Sequence, residues 1–394
     1  MKERYKGYQA FDYLKTYKSP LELTCGDQRV DEYLLPLDAQ QEARMEKLLK
    51  EHMLIGLHDH VDIMPDNMQQ DMKLYMKNGR RGIGYAQLAR SYYDVVFEGV
   101  GGPLMKVASP NGGKWDDCIY DIGMRLCDIA HQDFVVKCES IADMKRAKEN
   151  GQVGWVMGLE DGQAIENELD RLDILYGLGI RMMGLTYSSS NYLGSGGQDR
   201  TDAGLTNLGV KAVERMNTLG IVIDCAHSSE QSILDVAEVS SQPIVLSHIG
   251  ARTIWNTRRM ATDECLKAVA EKGGVIGIEC APHTTMTDKT EKHTILSVIK
   301  HFEYIRDLVG IDHVMFGGDT LYGDHVALHR ALKGSIKAER ADGAVSVPYV
   351  MGMENPTEES KNIMRYLVSA NYSDEDIAKV MGGNLLRVLE KAWK

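Results

Sequence analysis

Eight short apolar runs, each ending in polar residues and most followed by an amphipathic stretch, constrain this chain more than any other feature. They are MLIGL ahead of His58, DFVVK at 133–137, VGWVMGL ahead of Glu160 and IRMMGLT ahead of Tyr187. Then come GIVIDCA ahead of His227, PIVLS ahead of His248, GGVIGIEC ending at Cys280, and HVMFGG ahead of Asp319. Each is too short for a helix and too apolar for a half-exposed strand, which leaves a fully buried parallel strand. Helical stretches such as 205–220 and 261–274 lie between them and stop at glycine. Eight strand-then-helix units predict an α/β fold, a closed (β/α)8 barrel of the TIM type, and 394 residues is an ordinary length for one with insertions. One domain over 1–394 is expected. Residues 1–50 form an N-terminal extension, 51–320 the barrel strands, and 321–394 the strand-8 loop and C-terminal helices. A long insertion at 70–130 is expected between the first two strands. The terminal helix should start at Ser373 and be interrupted at Gly382-Gly383.

Charge and composition narrow the function. The net charge of −12 disfavours nucleic acid and anionic membranes as partners. No run of about 18 uncharged apolar residues suggests a membrane span. The first twenty residues lack the apolar core of a signal peptide, so a cytoplasmic location is expected. The seven cysteines include no CxxC pair; Cys25, Cys118, Cys127, Cys138, Cys225, Cys265 and Cys280 read as reduced core thiols.

The polar residues at the strand ends carry the chemistry. They are His58-Asp59-His60-Val61-Asp62, Glu160, His227, His248 and Asp319. In a parallel barrel all C-terminal strand ends open on one mouth. Imidazoles and carboxylates from five strands therefore converge, a mixture that suits zinc or a similar divalent ion. A single histidine at a strand end is usually structural; five coinciding strand ends are not. One metal could not use so many donors, so two cations sharing a carboxylate are expected.

With those residues in view, the chain resembles the membrane (renal) dipeptidase family of the amidohydrolase superfamily, in its soluble bacterial form. The resemblance covers roughly 50–390. It rests on His60-Val61-Asp62, GLEDG at 158–162, GLTNLGVKAVERMNTLGIVIDCAHSS at 204–229, PIVLSHIGAR at 243–252, Arg258-Arg259, FGGD at 316–319 and the tail YSDEDIAKVMGGNLLRVL. It implies that His60 and Asp62 bind a first metal, Glu160 bridges two metals, and His227 and His248 bind the second. Asp319 is then the catalytic carboxylate, and Arg259 binds the substrate carboxylate. His58 stands outside the first metal on this register, although His58-Asp59-His60 is also the H-x-H pattern that other amidohydrolases use. The family's strand-4 histidine, which contacts the substrate carbonyl, is replaced by Tyr187. A phenol still donates one hydrogen bond and keeps an oxyanion-stabilising role open.

The expected function is hydrolysis of the amide bond of a dipeptide or similar small substrate with a free carboxylate, through a hydroxide shared by two divalent ions, zinc expected. The alternatives are deacylation of an N-acyl amino acid, lactam opening, deamination or decarboxylation, and a non-catalytic barrel scaffold. A homo-oligomer is compatible with the sequence. Among weaker features, His325 and His329 read as a solvated loop helix rather than a metal pair. The run 287–293 reads as a solvated loop, Glu279 as a supporting residue beside Cys280, and 82–102 as mouth wall or subunit contact.

Overall fold

Eight parallel strands form a nearly closed barrel in the computed structural model, which describes residues 1–24, 30–78, 80–100, 113–287, 292–332 and 349–394. They are β1 (Ile55–Asp59), β2 (Val95–Val100), β3 (Val153–Leu159), β4 (Ile180–Gly184), β5 (Val222–Asp224), β6 (Val245–Ile249), β7 (Val275–Ile278) and β8 (Val314–Phe316). Each pairs in parallel with the next, and helices lie between most of them. The seam between β8 and β1 closes just past the strand ends. There His60 pairs with Leu321, His60 N–H donates to Thr320 O at 2.8 Å, and Asp319 N–H donates to His58 O at 2.9 Å.

Strand parity divides the core. Ile55, Leu57, Val95, Phe97, Val156, Met182, Val222, Val245, Val275 and Met315 share one buried cluster with Leu385, Val388, Leu389 and Ala392 of the helix Asn384–Ala392. Many of these strand residues are the first of their strands, so the last helix closes the N-terminal end of the barrel. Its buried residues recur at helical spacing, and each large side chain hidden this way contributes about 1.5–3 kcal/mol. The alternate strand residues, among them Val96, Trp155, Ile223, Leu246, Ile276 and Val314, pack instead with the surrounding helices. Local signals set the helix ends. Thr206 caps Asn207–Leu219, which stops at left-handed Gly220, and Thr262 caps Asp263–Glu271. Ser373 Oγ accepts from Asp376 N–H, and the helix breaks into a π turn over Lys379–Gly383 with Gly382 non-helical, as the paired glycines predict.

One strand assignment is corrected. The second barrel strand is Val95–Val100, inside the stretch expected to be an insertion and the run expected to be mouth wall. Glu98 interrupts its apolar run, and that carboxylate is buried because Arg125 and the Trp155 indole N–H bind it. The run at 133–137 forms only a short strand, Val135–Lys137, paired with Val153–Trp155 on the edge of β3 that β4 takes over from Met157. Between β1 and β2 lie the helices Met68–Asn78 and Tyr85–Leu88. A small antiparallel sheet there joins Leu23–Thr24, Asp62–Pro65 and Gly82–Ile83. Cys25, residues 288–291 within the charged run, and 333–348 of the strand-8 loop lie outside the described residues. The six described cysteines are free, five of them buried. Among the described residues, no helix is long and apolar enough to cross a membrane.

Candidate metal centre

Glu160 follows β3 directly, its N–H donating to Val100 O at 3.0 Å. Gly184 on β4 presses against it: a Cβ there would sit 2.2 Å from Glu160 O, so only glycine lets the two strands approach this closely. The carboxylate projects among four imidazoles. His227 Nε2 is 3.2 Å and His248 Nε2 3.7 Å from Glu160 Oε1, and these two nitrogens are 2.9 Å apart. On the other side His58 Nε2 is 3.7 Å from Oε1 and His60 Nε2 3.9 Å from Oε2. Asp319 Oδ1 completes this side, 3.1 Å from His60 Nε2 and 3.6 Å from His58 Nε2. Among the described residues three overlapping groups result, each with its donor atoms within 4.8 Å of one another. They are His58, His60, Glu160 and Asp319; Glu160, His227 and His248; and His58, Asp224 and His248, with Glu160 the carboxylate common to the first two.

The electrostatics suit cations. Burial drives the His58 pKa down to about 3, assisted by His60, and drives His248 well below its ordinary value. Both imidazoles are therefore neutral lone-pair donors at neutral pH, the form that binds metal. Burial pushes the Glu160 carboxyl up to about 8 against the pull of His60. Burial opposes charge on His60 and on Asp319, but their mutual hydrogen bond prevails. It helps hold His60 at about 9 and Asp319 well below the usual carboxylate range. A proton here does the work that a cation would do between the same two groups. Among the described residues, neither ring nitrogen of His58, nor Glu160 Oε2, has a hydrogen-bond partner, although all three are shut off from solvent. The donor set thus fits divalent ions in its chemistry, its protonation and its unsatisfied buried atoms.

A supporting layer orients the donors. Asp224 at the end of β5 accepts from Ser247 N–H (2.9 Å), Ala226 N–H (3.1 Å) and the Ser247 hydroxyl. Because that hydroxyl donates to Asp224, its oxygen accepts from His248 Nδ1–H at 2.7 Å, which turns the Nε2 lone pair toward Glu160. Ser188 Oγ lies 3.2 Å from His227 Nδ1. Asp224, Ser247 and Arg125 were not singled out in the sequence. Aspartate ending the apolar run GIVID was the one available signal, and serine and arginine at these positions carry none.

Asp62, expected beside His60 at a first metal, is held elsewhere in this structure: it lies outside all three groups, and both its oxygens accept from Arg125 Nη2, at 2.7 and 2.9 Å. His58, expected to stand behind the first metal, lies among the clustered donors.

The family model of the membrane dipeptidases, peptidase family M19, matches residues 42–329. The chain belongs to that family. Solved structures agree on the fold. An amidohydrolase from Pseudomonas aeruginosa is 22% identical with a TM-score of 0.74, over 89% of this chain and 99% of that one. The probable dipeptidase PvdM from the same organism is 20% identical with a TM-score of 0.70, over 91% and 99%. A metallopeptidase from Rhodobacter sphaeroides, solved with a phosphinate mimic of the dipeptide L-Ala-D-Ala, is 20% identical with a TM-score of 0.66, over 87% and 99%.

Two further residues complete the mouth of this dipeptidase-family barrel. The Tyr187 ring lies 4.1 Å from the His227 ring, and burial, then Glu160 and Asp319, hold its phenol well above the ordinary pKa, so it is an O–H donor at neutral pH. Arg259 donates to Ala226 O and His248 O, each at 3.0 Å, and pairs with Glu279 at 2.9 Å. Burial pushes Glu279 up to about 8 against that arginine. Arg259 also lines a cavity of about 210 Å³ with Ser228, Arg258 and Met260. The expectation of a solvated helix at His325 and His329 is corrected. The helix His325–Leu332 buries His325, whose ring stacks at 4.8 Å on His329, which meets His283 edge-on at 4.5 Å.

Proposed function

We propose that this chain is a binuclear metal-dependent hydrolase that cleaves the amide bond of a dipeptide or similar small substrate with a free carboxylate. The observation that carries this reading is the carboxylate Glu160 shared by two groups of imidazoles, of which all but His60 are buried. Glu160 with His227 and His248 would hold one cation, and Glu160 with donors from the end of β1 the other. Zinc is the ion expected from so many imidazoles. Bound there, the two cations supply an acidified water at neutral pH and polarise the scissile carbonyl.

The protein's own groups do the rest. Asp319 takes the water's proton at its carboxylate and returns it to the leaving amine. Tyr187 donates a hydrogen bond from its phenolic O–H to the carbonyl oxygen as negative charge develops there. Arg259 donates two N–H groups to Ala226 O and His248 O and pairs its charge with Glu279, and its remaining N–H groups meet the substrate carboxylate. Tyr187→Phe is expected to lower kcat by roughly 10²-fold with unchanged metal content. A fully active variant would show that the phenol only packs on His227.

Tyr187 also favours a second reading. A phenol cannot become a cation near neutral pH, and that departure keeps N-acyl amino acids and lactams in view as substrates. A screen of zinc-loaded protein against L-Xaa-L-Xaa, L-Xaa-D-Xaa and N-acyl amino acids separates the two. Amidation of the carboxylate is expected to cost about tenfold or more in kcat/KM, the loss of a charge-assisted contact. Turnover confined to N-acyl amino acids would replace the dipeptide reading, and equal rates on free and amidated substrates would remove Arg259 from recognition.

A further inference from the structure

We infer that the first cation position in this chain is built from His58 and His60, and that Arg125 has withdrawn Asp62 from it. This rests on the binuclear reading above and concerns which side chains of β1 serve it. Both histidines point their Nε2 atoms at Glu160 and Asp319, whereas Asp62 is spoken for. Among the described residues neither nitrogen of His58 has a hydrogen-bond partner, yet the residue is 1% exposed and its ring stacks on His248 at 3.9 Å. A buried imidazole without a partner is costly unless something binds it. β2 has made room for the pair. A Cβ on Gly99 would fall 2.4 Å from His58 Cε1 and 3.2 Å from His60 Cε1, so any larger residue would displace both rings.

Arg125 holds Asp62 in place from the helix Trp115–Ile129. Its Nη2 serves both oxygens of Asp62, its Nη1 binds Glu98, and its Nε is 3.4 Å from Asp121. The guanidinium is 1% exposed, as is Asp62. Turning Asp62 toward the cluster would strip a buried cation of its bidentate partner. The consequence is a change in charge. A histidine–aspartate pair adds one negative charge to the centre, whereas the histidine–histidine pair adds none. The donors are then four imidazoles and Glu160, a nitrogen-rich set that suits zinc, cobalt or nickel better than manganese or magnesium.

Zinc content after desalting tests this without reference to activity. Wild type is expected to hold about two ions per chain. Asp62→Asn should keep both, and His58→Ala should lose one. The reverse pattern overturns the inference. Anomalous diffraction from zinc-loaded wild-type crystals decides independently of how either variant folds. A His58 nitrogen at about 2.0–2.1 Å from zinc is the expected result. An Asp62 oxygen in that place, with Arg125 released, would refute it. A wild type that binds no zinc or other divalent ion would instead remove the binuclear reading on which the inference rests.

Discussion

Asp319→Asn is expected to keep its metal and to lose turnover by roughly 10²- to 10⁴-fold, the usual worth of a positioned proton-transfer group. The substitution preserves shape, and its backbone is as suited to the position. Asp319 sits at φ 53°, in the left-handed region that aspartate and asparagine both tolerate, with its N–H fixed to His58 O. What changes is the charge and the ability to accept a proton. In the native protein the bond to His60, with the other imidazoles nearby, outweighs burial and keeps this carboxylate ionised. An amide in the same place holds a hydrogen bond but cannot shuttle a proton. Stopped-flow turnover and elemental analysis on one preparation check both halves. Unchanged turnover would remove Asp319 from the mechanism, and loss of a metal ion would reassign it as a ligand.

Glu160→Gln is expected to weaken binding at both metal positions by more than about 100-fold and to bring activity below detection. Loss of groups that merely orient ligands already costs 10–100-fold. One carboxylate serves both groups, and a neutral amide is a poor bridge between two cations. The apo protein should show the opposite trend. Burial makes this carboxylate expensive and pushes its pKa up to about 8, so the metal-free variant is expected to melt no lower than metal-free wild type. Competitive chelator titrations of both proteins, with apo melting curves, test this. Loss of only one metal would end the bridging role, and a lower apo melting temperature would mean that Glu160 supports the fold instead.

Much of the architecture was legible in the chain itself. Seven of the eight apolar runs became barrel strands, because a strand buried on both faces must be apolar along its whole length. The polar residue after such a run is marked by contrast, which is why Glu160, His227, His248 and Asp319 stood out, and the barrel's parallel order placed them together. The remaining run, DFVVK, misled because the true second strand, VVFEGV, hides behind a glutamate, and Arg125 and Trp155, 27 and 57 residues away, make its burial tolerable.

The sequence by itself determined the period of the strands, the helix stops and the strand-end donors, since these depend on residues close together in the chain. Only the tertiary structure decided which donors of His58-Asp59-His60-Val61-Asp62 face the centre. Alternation turns His58 and His60 to one side of the barrel wall. Asp59 goes to the other, where it binds Thr320. Asp62 is then claimed by an arginine 63 residues on, whose buried charge requires a carboxylate. No local pattern contains that requirement, because it arises from desolvation, and desolvation exists only once the chain has folded.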